Sequence, residues 1–216
     1  MSNTIVYNEF ANFGKRIKVI AILTLLSLIL GIIGAFVSII GIISLVFDFI
    51  IIIFFLLVLG NIKRAGKELN NKELLAFLPR FLFGTIIRFV GQVLWSIGWL
   101  SILDLWIMVV IGIVLILVGS ILRFMAWGGL QTFFKTNLQL FPPYISVNGN
   151  KGANLCKIAT ILDMTILLSI IGDILRIIGY FKLAWTKNLG GGAVQPIYQP
   201  AAFWLPQHWE AEDCGR

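Results

Sequence analysis

Histidine occurs once in this chain, at His208, cysteine only at Cys156 and Cys214, and charged residues make up 12% of the whole. Each scarcity removes a class of chemistry. One histidine cannot build a multi-histidine zinc site, a His-based triad within the apolar runs or bis-histidine haem ligation. The two cysteines stand far apart and lack metal-ligand spacing. The HExxH, GxSxG and GxxxxGK[ST] patterns are absent. These gaps assign no catalytic residue, no cofactor and no metal, and the expectation is of a protein that is not an enzyme. The charged fraction is half the ~25% of a soluble domain, so a water-soluble fold would lack a polar coat.

What fills the chain instead is apolar sequence, 59% of all residues. From Val19 to Ile62 the only charged residue is Asp48. As one helix that run would stretch about 66 Å, twice the ~30 Å hydrocarbon core of a bilayer. It therefore folds back as two membrane-spanning helices, and the class is an all-α, polytopic membrane protein of helical hairpins. Lys15, Arg16 and Lys18 precede the run, but it is too long for a signal-peptide core and no small-residue cleavage site closes it. It reads as a retained first span.

Three regions follow. Residues 1–17 form a polar lead with Tyr7, Phe10 and Phe13, suited to the membrane interface. Residues 18–189 form the membrane domain, and 190–216 a tail rich in glycine, proline and aromatics. The first span is expected from about Lys18 to Val37 and the second from about Gly41 to Gly60. Ser27, Gly31, Ala35 and Ser38 share one face of the first, a stripe of small residues for close helix packing. The polar stretch after Gly60 extends the second helix beyond the membrane, with Arg64 and Glu68 as i,i+4 partners. Asn71 caps a short helix, and Pro79 suits the first turn of the third span. That span ends near Trp99, and the fourth runs from about Leu105 to Arg123. Gly128-Gly129, Pro142-Pro143 and Asn148-Gly149-Asn150 are turn chemistry; between the first two, Leu130, Phe133, Phe134, Leu138 and Leu140 suggest a short surface helix.

The stretch Ile158 to Trp185 is long for one span and short for two. Thr165, Ser169, Gly172, Asp173, Arg176 and Gly179 keep helical spacing, which favours one tilted helix and five spans. The alternative is a hairpin turning at Gly172-Asp173, with six crossings. The Gly/Pro/aromatic tail cannot pack by itself. Its Tyr198, Phe203, Trp204 and Trp209 are candidate anchors for a partner.

The net charge of +7 comes from basic residues beside the apolar runs. They precede span one and follow spans two and four, while the opposite turns carry no Lys or Arg, so the N-terminus is expected in the cytoplasm. Anionic lipid head groups, and not nucleic acid, explain this charge. Five charged residues fall within the spans: Asp48, Arg88, Asp163, Asp173 and Arg176. Each costs a few kcal/mol at mid-membrane and needs a partner or water. By helix rise, Arg88 and Asp163 lie roughly 12 Å and 7 Å from the cytoplasmic boundary. Asp48 and Asp173 lie about 10 Å from the other boundary, near Arg176. The natural pairs are Arg88 with Asp163, and Arg176 with Asp48 or Asp173. Gly60-Asn61-Ile62-Lys63-Arg64, Gly119-Ser120-Ile121-Leu122-Arg123 and Gly172-Asp173-Ile174-Leu175-Arg176 also share one pattern, Gly-polar-Ile-x-Arg, a hint of duplicated hairpins.

The paired hairpins, the basic connector and the segment from Ser169-Ile170-Ile171-Gly172-Asp173 through Lys187 resemble an uncharacterised family of small multi-spanning membrane proteins, mainly archaeal, in hydropathy layout and glycine placement. The resemblance implies no activity, transfers no functional residues and is compatible with six crossings. The expected role is an accessory or structural subunit of a larger membrane assembly, in a plasma membrane or a viral or envelope membrane. Its partners would be lipids and other membrane subunits, with a homo-oligomer as a further option. The alternative is a small-solute or ion transporter or channel.

Overall fold

A computed structural model describes residues 3–34, 38–100, 106–165 and 168–190, the side chains at 3, 38–45, 48, 96, 99 and 100 excepted. Across them the chain forms six helices: α1 (Asn3–Gly34), α2 (Ser38–Glu68), α3 (Lys72–Leu100), α4 (Trp106–Thr136), α5 (Pro143–Leu162) and α6 (Ser169–Leu183). Two 3₁₀ segments, Leu138–Leu140 and Ala184–Gly190, complete the path. Helices α1 to α4 are each long and apolar enough to cross a membrane. The chain is a membrane-embedded, all-helical protein built from hairpins.

One end of the bundle gathers the chain's start and its polar connectors. The Tyr7 hydroxyl donates to the Leu140 carbonyl at 2.8 Å, Arg64 Nε lies 2.8 Å from Glu9 Oε1, and Gly14 abuts Thr186 and Lys187. The basic residues Lys15, Lys63, Lys67, Lys135 and Lys187 therefore share this end. From Asn3 onward the lead is no separate interfacial piece: α1 runs unbroken from Asn3 to Gly34. Phe10, Phe13 and Ile17 are fully buried, and Phe10 stacks on Phe133 with ring centroids 5.5 Å apart. Aromatic density is the reason, because Phe10 meets Phe133, Phe134 and Phe141 with ring centroids 5.5, 5.9 and 4.9 Å away.

Several turn signals serve packing instead. α4 continues through Gly128-Gly129, and α5 starts at Pro143 and continues through Asn148-Gly149-Asn150. A methyl group at Gly149 would lie 2.6 Å from the Phe134 ring, so glycine there admits the ring. Likewise α3 begins at Lys72 and passes through Pro79, whose missing N–H removes one ladder bond without ending the helix. Arg64 pairs with Glu9 and Asn61, not with Glu68.

The largest correction concerns residues 158–185. They are not one continuous span: α5 ends at Leu162, and the backbone turns through Asp163–Thr165 before α6 returns antiparallel. Neither is the turn at Gly172-Asp173, which lies inside α6. The Thr165 hydroxyl donates to the Leu162 carbonyl at 2.8 Å, and the Met164 and Thr165 amides close i→i+3 bonds, local chemistry that competes with helix continuation.

The α2–α3 connection is tighter. Asn70 adopts φ 47°, the left-handed position that ends many helices. The Asn71 amide reaches Gly66 O at 3.0 Å and the Asn70 amide reaches Lys67 O at 3.2 Å, a Schellman ending. Asn71 Oδ1 then accepts from the Leu74 amide at 3.1 Å and caps α3. We expect Asn71→Ala to lower stability by about 1 kcal/mol and Asn70→Gly to leave it unchanged or raised, as read by thermal unfolding in detergent micelles.

Candidate functional site

Helices α3 and α4 meet through glycine. A methyl at Gly84 would lie 2.7 Å from Gly119 O, and one at Gly91 would lie 2.7 Å from Gly112 O. Small residues at such spacing let membrane helices approach closely, where dispersion contacts drive association. The α5–α6 pair repeats the device, with Gly152 against Gly179 O at 2.7 Å and Gly172 against Asp163 Oδ1 at 2.8 Å, measured from the same added methyl. Half of the stripe expected on α1 lies within the described side chains. Ser27 is buried, but Gly31 faces outward; Ala35 and the side chain of Ser38 lie outside the described residues.

These close approaches bring charged side chains from three helices onto one carboxylate at the end of a fourth. Asp163, at the end of α5, has only 1% of its side chain exposed. Its Oδ2 takes an ion pair from Arg88 Nη1 of α3 at 3.0 Å, bonds Arg176 Nη2 of α6, and lies 3.9 Å from Arg123 Nη1 of α4. The last carbonyls of a helix carry partial negative charge, which adds to the attraction. Arg88 Nη1 also donates to Ser120 Oγ at 3.2 Å. Arg176 Nη1 binds Asp173 Oδ1 at 2.6 Å within α6. Arg123 sits over the Phe81 ring, 5.7 Å from its centroid, in cation–π geometry.

Arg88, Asp163, Asp173 and Arg176 are thus assembled in one cluster. Asp48 was expected beside Arg176; its side chain lies outside the described residues, as do Tyr198, Phe203, Trp204 and Trp209. Arg123 was missed, being read as a basic residue flanking the fourth span. The pattern Gly-polar-Ile-x-Arg carried its signal. In both Gly119–Arg123 and Gly172–Arg176 the glycine packs against a neighbouring helix and the arginine, one turn on, enters the cluster. The first copy differs: Arg64 is outside, on Glu9.

An aromatic layer seals the cluster toward the basic end. Phe81 contacts Phe55, Phe77 and Trp127, with ring centroids 4.8, 5.6 and 5.4 Å away. Trp127 and Tyr180 are 6.0 Å apart. Cys156 is a buried free thiol whose Sγ lies 3.9 Å from the Arg176 carbonyl. Comparison with family models, curated proteins and solved structures gives no match.

The geometry ranks substitutions. Asp163→Asn removes the charge shared by three guanidinium groups, leaving Arg176 on Asp173 and Arg88 on Ser120 alone, and should cost about 3–5 kcal/mol. Arg88→Leu leaves Asp163 bonded to Arg176 and should cost less. Unfolding of both variants in micelles tests this order; equal losses would show that Arg88, and not Asp163, holds the cluster.

Proposed function

We propose that this is a non-enzymatic integral membrane protein serving as an accessory or structural subunit of a larger membrane assembly. One observation supports this above others: both carboxylates among the described side chains of the cluster are paired with arginine. Asp163 and Asp173 are both held by arginine, which leaves neither free as a general acid or base. Around that lock the long helices are bare. On α3, Phe83, Ile86, Val90, Val93 and Ile97 are exposed, and on α4 Trp106, Ile107, Val110, Ile111 and Val114. Such faces suit lipid or the helices of another subunit. The tail anchors Tyr198, Phe203, Trp204 and Trp209 would add a docking arm, and the basic end would face the cytoplasm.

A specific feature favours the second reading, a small-solute or ion transporter. The turn after Asp163 is non-helical backbone beside intramembrane charges, which bilayers tolerate only where protein or water surrounds it. Asp173 keeps a third of its side chain exposed at this level. Broken helices with charged tips are a transporter device.

Affinity capture of the full chain from native membranes separates the two. Stoichiometric co-purifying subunits, lost on deleting residues 193–216 while the spans stay inserted, are expected; a lone homo-oligomer would favour transport. For orientation, single cysteines at Lys67 and Trp106, in a background lacking Cys156 and Cys214, should show Trp106→Cys alone reacting with an impermeant reagent on intact cells. The opposite pattern would reverse the orientation.

A further inference from the structure

The central cluster has more donors and more positive charge than its own acceptors use. Three guanidinium groups, Arg88, Arg123 and Arg176, face two carboxylates among the described side chains, Asp163 and Asp173. Arg176 is bonded to both carboxylates, and Arg88 to Asp163 and Ser120. Arg123 is the surplus cation, 3.9 Å from Asp163 and otherwise resting on the Phe81 ring.

Unmet hydrogen-bond donors lie on the same two faces. Arg123 Nε, Arg176 Nε and Trp127 Nε1 are all buried without an acceptor. Arg123 and Arg176 are 7% and 9% exposed and Trp127 is fully enclosed. Arg123 and Trp127 are one turn apart on α4, as are Arg176 and Tyr180 on α6. The two rows face each other, because both arginines reach Asp163 Oδ2 and the Trp127 and Tyr180 rings are neighbours. Buried N–H groups without acceptors are costly, and an unpaired guanidinium inside a membrane is costlier. Among the described residues, Asp163 Oδ1 is the one carboxylate oxygen of the cluster left unbonded in the interior. It offers one acceptor against three donors and carries no charge beyond that already counted.

We propose that the Arg123–Arg176–Trp127 face binds one small monovalent anion of the halide class. Among the described side chains the charge deficit is one unit, so a divalent phosphate or sulfate would overcompensate and bring a larger desolvation penalty. A halide accepts N–H donors from any direction, which suits two guanidinium edges and an indole. A lipid phosphate is a poorer fit. Arg176 lies nine residues inside Trp185, about 13 Å along α6 and the 3₁₀ segment that follows it, while Trp185 is already among the outward-facing aromatics of the basic end. A bound anion is compatible with either functional reading, as a structural counter-ion or as a transported ion.

The test uses the full chain in detergent micelles, prepared free of halide in sodium gluconate. Titration with sodium bromide at constant ionic strength should raise the unfolding temperature of the wild type saturably, and equilibrium dialysis should find one bromide per chain. Arg123→Gln keeps hydrogen-bonding capacity but removes the surplus charge. It should bind no bromide and, in gluconate, unfold at a higher temperature than the wild type. If Arg123→Gln fails to fold, dialysis of the wild type still decides. A wild type that binds no bromide and responds equally to both salts would overturn the proposal. Bromide dependence that appears only in Asp48→Asn would overturn it as well, and would assign the missing negative charge to Asp48. Stabilisation by phosphate-bearing lipid in place of bromide would likewise reject a halide site.

Discussion

A carboxylate removed from water keeps its charge only while cations surround it, and Asp163 is where that requirement is concentrated. The residue ends α5, yet its partners come from α3, α4 and α6. Any arrangement that fails to bring those helices together leaves an arginine facing lipid, at a few kcal/mol each. A buried ion pair is weak evidence for net stability. Its effect here is on choice among packings: lipid is indifferent to how apolar helices pair, whereas the cluster accepts one register.

Glycine makes that register reachable. Arg88 and Ser120 can share a hydrogen bond because Gly84 and Gly119 let α3 and α4 touch, and Asp163 can point inward because Gly172 presents no side chain there. The aromatic layer of Phe55, Phe77, Phe81, Trp127 and Tyr180 then separates the cluster from the basic end. Low local dielectric strengthens every pairing inside it. Below that layer Phe10, Phe13, Phe133, Phe134 and Phe141 pack among aliphatic side chains such as Ile17, Ile62, Leu130 and Ile145, and the first half of α1 belongs to this core.

Much of the architecture was legible in the residues because long uncharged runs admit few solutions. The hairpin of α1 and α2, the extension of α2 past Gly60 and the capping by Asn71 all follow from local patterns. Helix rise put Arg88 and Asp163 at comparable depth, and their atoms lie 3.0 Å apart. Arg123 was harder to see, since a basic residue four positions before a tryptophan looks like an interface flank. The start of α1 was misread for a related reason: Asn3, Asn8, Glu9 and Lys15 make a polar composition, while burial there is decided by Phe10 and Phe13 on one face. The break after Leu162 defeated periodicity altogether. Thr165, Ser169 and Gly172 remain in helical phase across it, and what ends the helix is a side-chain hydrogen bond together with the pull of three distant arginines on Asp163.

The order of the helices along the chain has a consequence for biosynthesis. Arg88 and Arg123 are made and inserted with α3 and α4, before Asp163 has left the ribosome. Chains are built from the N-terminus at about 5–20 residues per second, so for several seconds the nascent hairpin holds two arginines without their carboxylate. The α5–α6 hairpin is thus a delayed closing element, and a chain interrupted before it exposes unpaired charge within the bilayer. That exposure would distinguish an unfinished copy from a finished one for any machinery that surveys the membrane.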